Sequence, residues 1–245
     1  MIASAVESRR HGGEIQHPVK EFGVDLQQVL AESGLPLELF NHPDNLVSFR
    51  QGSHLLGLCA DRTGCPHLGL LIGRYTPLES LGFVADLAKA APDVRSALRL
   101  VARYLTLSDG GGLLTLNEDA NVATYRYALY EPGVERAEVI YDIVLSTTWN
   151  VLRAICGSRW LPREIQFMRS RPADTHPYRS FLRAPLRFDC DRSAVVFDRA
   201  WLDVPRCEVR TRNAWPHSKH RRVPSKPRPR ATCPRRCGAC CGVNY

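Results

Sequence analysis

The chain has 245 residues, 44% of them hydrophobic, which is enough for one large domain or two small ones with a real core. No stretch approaches the roughly 18 uninterrupted apolar residues of a membrane span, and Met1–Arg10 carries no apolar core of a secretory signal, so the reading is a soluble cytoplasmic protein with no membrane partner. The formal net charge of +8 is local: residues 211–245 hold nine Lys and Arg and no Asp or Glu, so the basic balance says nothing about the rest.

Residues 1–19 read as a flexible N-terminus, polar and unpatterned, with Gly12–Gly13 and Pro18. Two short helical pieces follow. Phe22, Leu26, Val29 and Leu30 share one helical face before Gly34–Leu35–Pro36 stops it. His54, Leu55, Leu56, Leu58 and Cys59 form a second apolar stretch that ends near Gly64–Cys65–Pro66. The clearest helix is Pro92 to Leu105. Val94, Ala97, Leu98, Val101 and Leu105 line one stripe, and Asp93 complements the positive end of its dipole. Arg95, Arg99 and Arg103 form a second stripe, read as a solvated face rather than an anion site.

After Ser108–Asp109–Gly110–Gly111–Gly112 the period changes from helical to alternating. Leu113–Asn117 and Val122–Leu129 read as a hairpin turning at Glu118–Asn121. Pro132–Gly133 leads into a long helix, about Val134 to Cys156, with Ala137, Ile140, Tyr141, Val144, Leu145, Thr148, Val151, Leu152 and Ile155 on its inner face. Gly157 is its natural stop. Strands at 164–169, 186–189 and 194–197, with a short helix at 176–182, complete the body. This order predicts an α+β fold: a mostly antiparallel sheet packed with helices, an N-terminal helical segment and a disordered basic C-terminal tail.

No zinc-helix, nucleophile-elbow or phosphate-loop pattern occurs, so no catalytic residue is assigned and the expectation is a non-enzyme without a cofactor. Cys59, Cys65 and His67 lie close together, but a structural zinc site needs about four ligands, and ordinary buried thiols are the plainer reading. No metal ligand and no ligand-binding residue is singled out. The scattered body cysteines, Cys59, Cys65, Cys156, Cys190 and Cys207, fit reduced thiols of a cytoplasm.

Tyr178–Phe188, with its Ala184–Pro185–Leu186–Arg187–Phe188 end, followed by Ser193–Phe197 and Leu202–Asp203–Val204–Pro205, resembles one family. It is the N-terminal, arabinose-binding-domain-like effector domain of AraC-type (AraC/XylS) transcriptional regulators. Leu81–Gly82–Phe83 and the helix through Ala97–Leu98 and Arg103–Tyr104 resemble the same domain. The resemblance implies an effector-sensing and dimerisation domain over 20–205, a small-molecule effector, a homodimer, and a role in transcription regulation. Family members continue into a helix-turn-helix DNA-binding domain. Here residues 206–245 are instead rich in Arg, Pro and Cys, so the expectation is a regulator truncated before that domain, with a tail that a frameshift would produce. Such a tail would bind nucleic acid non-specifically at low salt. Two alternatives stay open: a nucleic-acid- or zinc-binding protein acting through the tail's Cys233, Cys237, Cys240 and Cys241, and an enzyme of unrecognised chemistry in the body.

Overall fold

The computed structural model describes residues 5–7, 12–40 and 46–204. The chain divides into two units, 1–210 and 211–245, and all that follows concerns the first. The tail, with its cysteines, lies outside the described residues, as does Cys207.

Short elements come first. Strand β1 (Ala5–Glu7) pairs antiparallel with β2 (Leu46–Ser48), and helices α1 (Gly12–Glu21) and α2 (Leu26–Glu32) lie between them in sequence. The expectation of a flexible stretch over 1–19 fails across Gly12–Val19. Ile15 and Val19 sit one turn apart on α1 and are buried, and Pro18 is accommodated inside the helix. Asp25 caps α2, its carboxylate accepting the Gln27 N–H at 3.0 Å. Phe22 stands outside α2 and is exposed, so the buried face there is Leu26, Val29 and Leu30 alone.

Helix α3 (Phe49–Thr63) starts on a capping box between Ser48 and Gln51 and ends on left-handed Gly64. Helix α4 (Leu68–Arg74) was not expected, because its run of Leu, Ile and two glycines lacks an amphipathic period; it is buried along nearly its whole length. Helix α5 (Phe83–Ala90) follows a short 3-10 turn at Leu78–Leu81. Helix α6 (Val94–Asp109) is capped by Asp93, which accepts the Ser96 N–H at 2.7 Å, and stops on left-handed Gly110.

The predicted hairpin forms as β3 (Gly112–Glu118) and β4 (Val122–Leu129), and the long helix as α7 (Ala137–Cys156). Then come β5 (Glu164–Gln166), α8 (His176–Leu182), β6 (Leu186–Arg187) and β7 (Ser193–Asp198). The five-stranded sheet runs β3-β4-β7-β5-β6, antiparallel except for the parallel β5–β6 edge. The protein is thus α+β with a mostly antiparallel sheet.

Two apolar cores result. The larger lies between the sheet's inner face and α5 to α8, and its biggest buried side chains are Trp160, Tyr125, Tyr178, Phe167 and Phe197. The smaller is aliphatic, built from α1 to α4 around Val19, Leu30, Cys59, Leu68 and Ile72. Helix α7 separates them and packs on both sides, which is why Asp142, Ser146 and Trp149 are buried in addition to the inner face read from sequence. By length and hydropathy α7 would also suit a membrane span, but it is buried in the core of this fold.

The arginine stripe of α6 does not face solvent throughout. Arg95 donates to Glu118 at 3.1 Å and to Asp203 at 2.5 Å, and Arg99 donates to Glu118 at 3.0 Å. The stripe ties α6 to the end of β3 and to the 3-10 turn Arg199–Asp203, where the described chain leaves the fold. Arg95 thereby holds the Glu118 carboxyl below the usual range.

Candidate functional site

Two places collect polar groups that the fold alone does not require. The first is the seam between the two cores. Glycines make it possible: a Cβ on Gly69 would strike the Val139 carbonyl and the Asp142 side chain, and one on Gly73 would strike Ile143 and Ser146. Backbone of α4 therefore lies directly on α7. Asn150 holds the end of α4, its side-chain amide reaching the carbonyls of Gly73 at 3.0 Å and Thr76 at 2.9 Å. Inside this seam sits Asp142, only 1% exposed. Its Oδ2 accepts the Tyr178 hydroxyl at 2.6 Å and the Arg169 guanidinium, and Arg169 also donates to the Pro66 carbonyl at 3.1 Å.

One arginine thus joins the α3–α4 turn, α7 and α8. Burial pushes the Asp142 carboxyl up to about 6, against the opposite pull of Arg169 and Tyr178. Asp142 Oδ1 and Ser146 Oγ, one turn apart, have no hydrogen-bond partner among the described residues. The close approach of α4 to α7 at Gly69 and Gly73 and the Arg169 bridge suit the seam to a joint between two packed bodies.

The second place is open. Helices α1 and α2 and the turn after them enclose a cleft of about 520 Å³, within the size range of small-molecule sites. Leu26 and Leu30 form its floor, with Val24, Leu37 and Phe40 beside them. Gln16 and Lys20 of α1 make one wall, and Asp25 and Gln27 at the start of α2 make the rim. Leu37 is 44% exposed, an apolar side chain presented to the opening.

Cys59 and Cys65 are packed in the aliphatic core, where burial pushes their thiols up to about 12 and about 11. Thiols held protonated in this way are poor metal ligands and poor nucleophiles. His67 heads α4. Among the described residues no group of three or more His, Cys, Asp or Glu is placed to hold a metal ion.

Sequence reasoning assigned no site residue. In the sequence Asp142 is a single acid interrupting the apolar run Val139–Leu145, and its partners Arg169 and Tyr178 are 27 and 36 residues away. Gln16 falls in the stretch 1–19 read as flexible, and Lys20 is the first residue after it. The one usable signal was an acid in the middle of an otherwise apolar helix.

With this geometry in view, the family is identified by comparison. Residues 23–206 match the arabinose-binding domain of AraC transcription regulators, N-terminal, and the chain belongs to that family. Its relatives include the HTH-type transcriptional regulator VirS of two Mycobacterium tuberculosis strains, CDC 1551 / Oshkosh and H37Rv. Each is 24% identical over 172 residues, which cover 69% of this chain and 51% of VirS. Among solved structures, transcriptional regulator CdpR from Pseudomonas aeruginosa shares the fold, with a TM-score of 0.56 and 16% identity over 74% of this chain and 56% of that one. The chain spans about half the length of the curated relatives it matches. The effector-binding regulatory domain expected from the sequence is the domain found. Helix α1 lies ahead of the matched region.

Proposed function

We propose that this chain is the sensing half of an AraC-type regulator, and that a small-molecule effector enters the cleft between α1, α2 and the turn at 35–40. The observation that supports this most directly is an open, apolar-floored cleft at the rim of a domain whose family is regulatory. The floor residues Leu26 and Leu30 belong to the aliphatic core, which reaches α7 through Leu56 and Ile143. A ligand that orders this core biases the packing of α4 on α7, and so the equilibrium that a regulator reports. The work is binding rather than catalysis, carried out in the cytoplasm by a homodimer. The basic residues of 211–245 add salt-sensitive contact with any nucleic acid, without sequence preference.

A thermal-unfolding screen of the purified chain against a metabolite panel tests this. A ligand that binds only the folded state raises Tm with concentration. At least one compound should do so, and Leu37→Glu should abolish the shift while leaving the unliganded Tm nearly unchanged, because Leu37 is exposed. Stabilising compounds indifferent to Leu37→Glu would move the effector site out of this cleft.

A further inference from the structure

Positive charge is not spread evenly over this domain. Residues 1–210 hold all 25 Asp and Glu of the chain and all but nine of its 33 Lys and Arg, yet segments 68–78, 143–163 and 175–188 contain seven arginines and no acid. The fold brings these three segments to one place, where α4, α7 and α8 all end. Asn150 ties α7 to the last carbonyls of α4, and the Trp149 indole N–H donates to the Leu182 carbonyl of α8 at 2.9 Å. Trp149 and Phe181 pack at 4.9 Å, with Arg153 over Trp149 at 5.3 Å and Arg74 over Phe181 at 5.8 Å. Arg153 also donates to the carbonyls of Ser158 and, at 3.0 Å, of Trp160. Exposed Arg159 follows Ser158 in the same turn, and exposed Arg179 stands one turn before exposed Arg183. At the margin Arg163 pairs with Asp198 and Arg187 with Glu164.

Helix ends explain part of this. A helix C-terminus carries roughly half a negative charge, which one arginine in the last turn answers. Arg74 does so on α4, Arg153 on α7 and Arg179 on α8. Arg159 and Arg183 come in addition. Arg183 takes the left-handed position that ends α8, φ 49°, where glycine is the favoured residue, and it lies one turn from the like charge of Arg179. The Arg153 guanidinium is held below its ordinary pKa, by partial burial first and by Arg183 second. Like charges gathered in this way repel one another until an outside anion meets them. On the α6 stripe, by contrast, Glu118 and Asp203 answer the arginines from within the domain. We propose that the face formed by the ends of α4, α7 and α8 is a contact for the phosphate backbone of DNA, separate from the cleft and from residues 211–245. Guanidinium forks pair with phosphate oxygens two at a time, and those of Arg74 and Arg153 are oriented by the rings beneath them. DNA is the polyanion that a transcription-regulator domain works beside, and a backbone contact positions the domain without reading sequence.

The test uses the full chain, a short DNA duplex of random sequence, and poly-L-glutamate as the acidic-protein counterpart. Backbone NMR should show DNA-induced shifts at residues 149–160 and 176–184, apart from any at 206–245. In Arg159→Gln/Arg183→Gly the slope of log affinity against log salt should fall by about two, at roughly 0.9 per phosphate contact. Glycine suits φ 49°, so this variant should unfold no earlier than the wild type, which separates lost contact from lost fold. Arg99→Gln, which removes one charge from the neutralised α6 stripe, should leave the slope unchanged. Polyglutamate should shift residues 149–160 and 176–184 only weakly at about 0.15 M salt. Shifts confined to 206–245, or a slope that the double variant does not change, overturn the proposal. Polyglutamate held at 149–160 and 176–184 as tightly as DNA overturns DNA as the partner and assigns the face to an acidic protein. Should the double variant unfold early, Arg159→Gln alone decides: a slope change of about one supports the contact and none overturns it.

Discussion

The two cores of this domain are built from different side chains and face different demands. The sheet-side core is closed by aromatics in edge contact, such as Trp160 with Phe197 and Phe167 with Tyr178, and tied by hydrogen bonds from Tyr125 to Leu98 and from Trp149 to Leu182, both 2.9 Å. The helical core is smaller and aliphatic, and it opens at one side into the cleft. Large interlocking rings, two of them anchored by hydrogen bonds, fix a single packing, whereas a small aliphatic cluster with short helices is easily ordered or loosened by a ligand. A sensor profits from having one half of each kind, joined by a helix both halves share.

The sharpest way to break this comparison is to attack the joint. Arg169→Leu leaves Asp142 buried without its cation and should destabilise the fold by about 3–5 kcal/mol at neutral pH, measured by denaturant unfolding. A loss within about 0.5 kcal/mol, the usual size of a surface change, would show that the two halves do not depend on that bridge.

Next in size is a cavity on the sheet side. Leu152 is fully buried on α7, so Leu152→Ala should cost about 2–5 kcal/mol. The helical side should lose less from overpacking: Gly73→Ala forces α4 off α7 and should cost about 1–3 kcal/mol. Gly73→Ala should also speed hydrogen exchange in α1 and α2 while α7 stays protected. Equal acceleration in both halves would mean that they open as one unit.

Acid titration gives a subtler readout. The Asp142 carboxyl is raised from 3.8 to about 6 on folding, so the folded state holds its proton more tightly than the unfolded chain. That contribution favours folding at low pH, is lost as pH rises from about 4 to about 6, and is flat above. In Asp142→Asn this slope should vanish, so the wild type should gain stability relative to the variant as pH falls through that window. The opposite sign would mean that Arg169 and Tyr178 outweigh burial and hold the carboxylate ionised.

The smallest effect belongs to the surface. Arg136→Ala removes exposed ion pairs with Asp61 and Glu138 and should change stability by less than about 1 kcal/mol.

Periodicity alone determined much of the architecture. The stripe from Val94 to Val101, the alternation through Tyr125 and Tyr127, and the apolar face of α7 are local signals, because each helix or strand must bury one face wherever it ends up. The quoted motifs determined the family for the same reason: they are contiguous. What only the tertiary structure decided depends on residues far apart in sequence. Helix α4 is legible only once its glycines are seen to be filled by α7, and Gly111 and Gly112 only once Phe49 and Tyr127 are seen against them. Arg95 looks like a solvent-facing residue until Glu118 and Asp203 close on it from 23 and 108 positions away. The cleft follows the same rule, since Lys20 and Leu37 become parts of one surface only when α1 folds back beside α2, and a pattern of neighbours along the chain carries no record of that meeting.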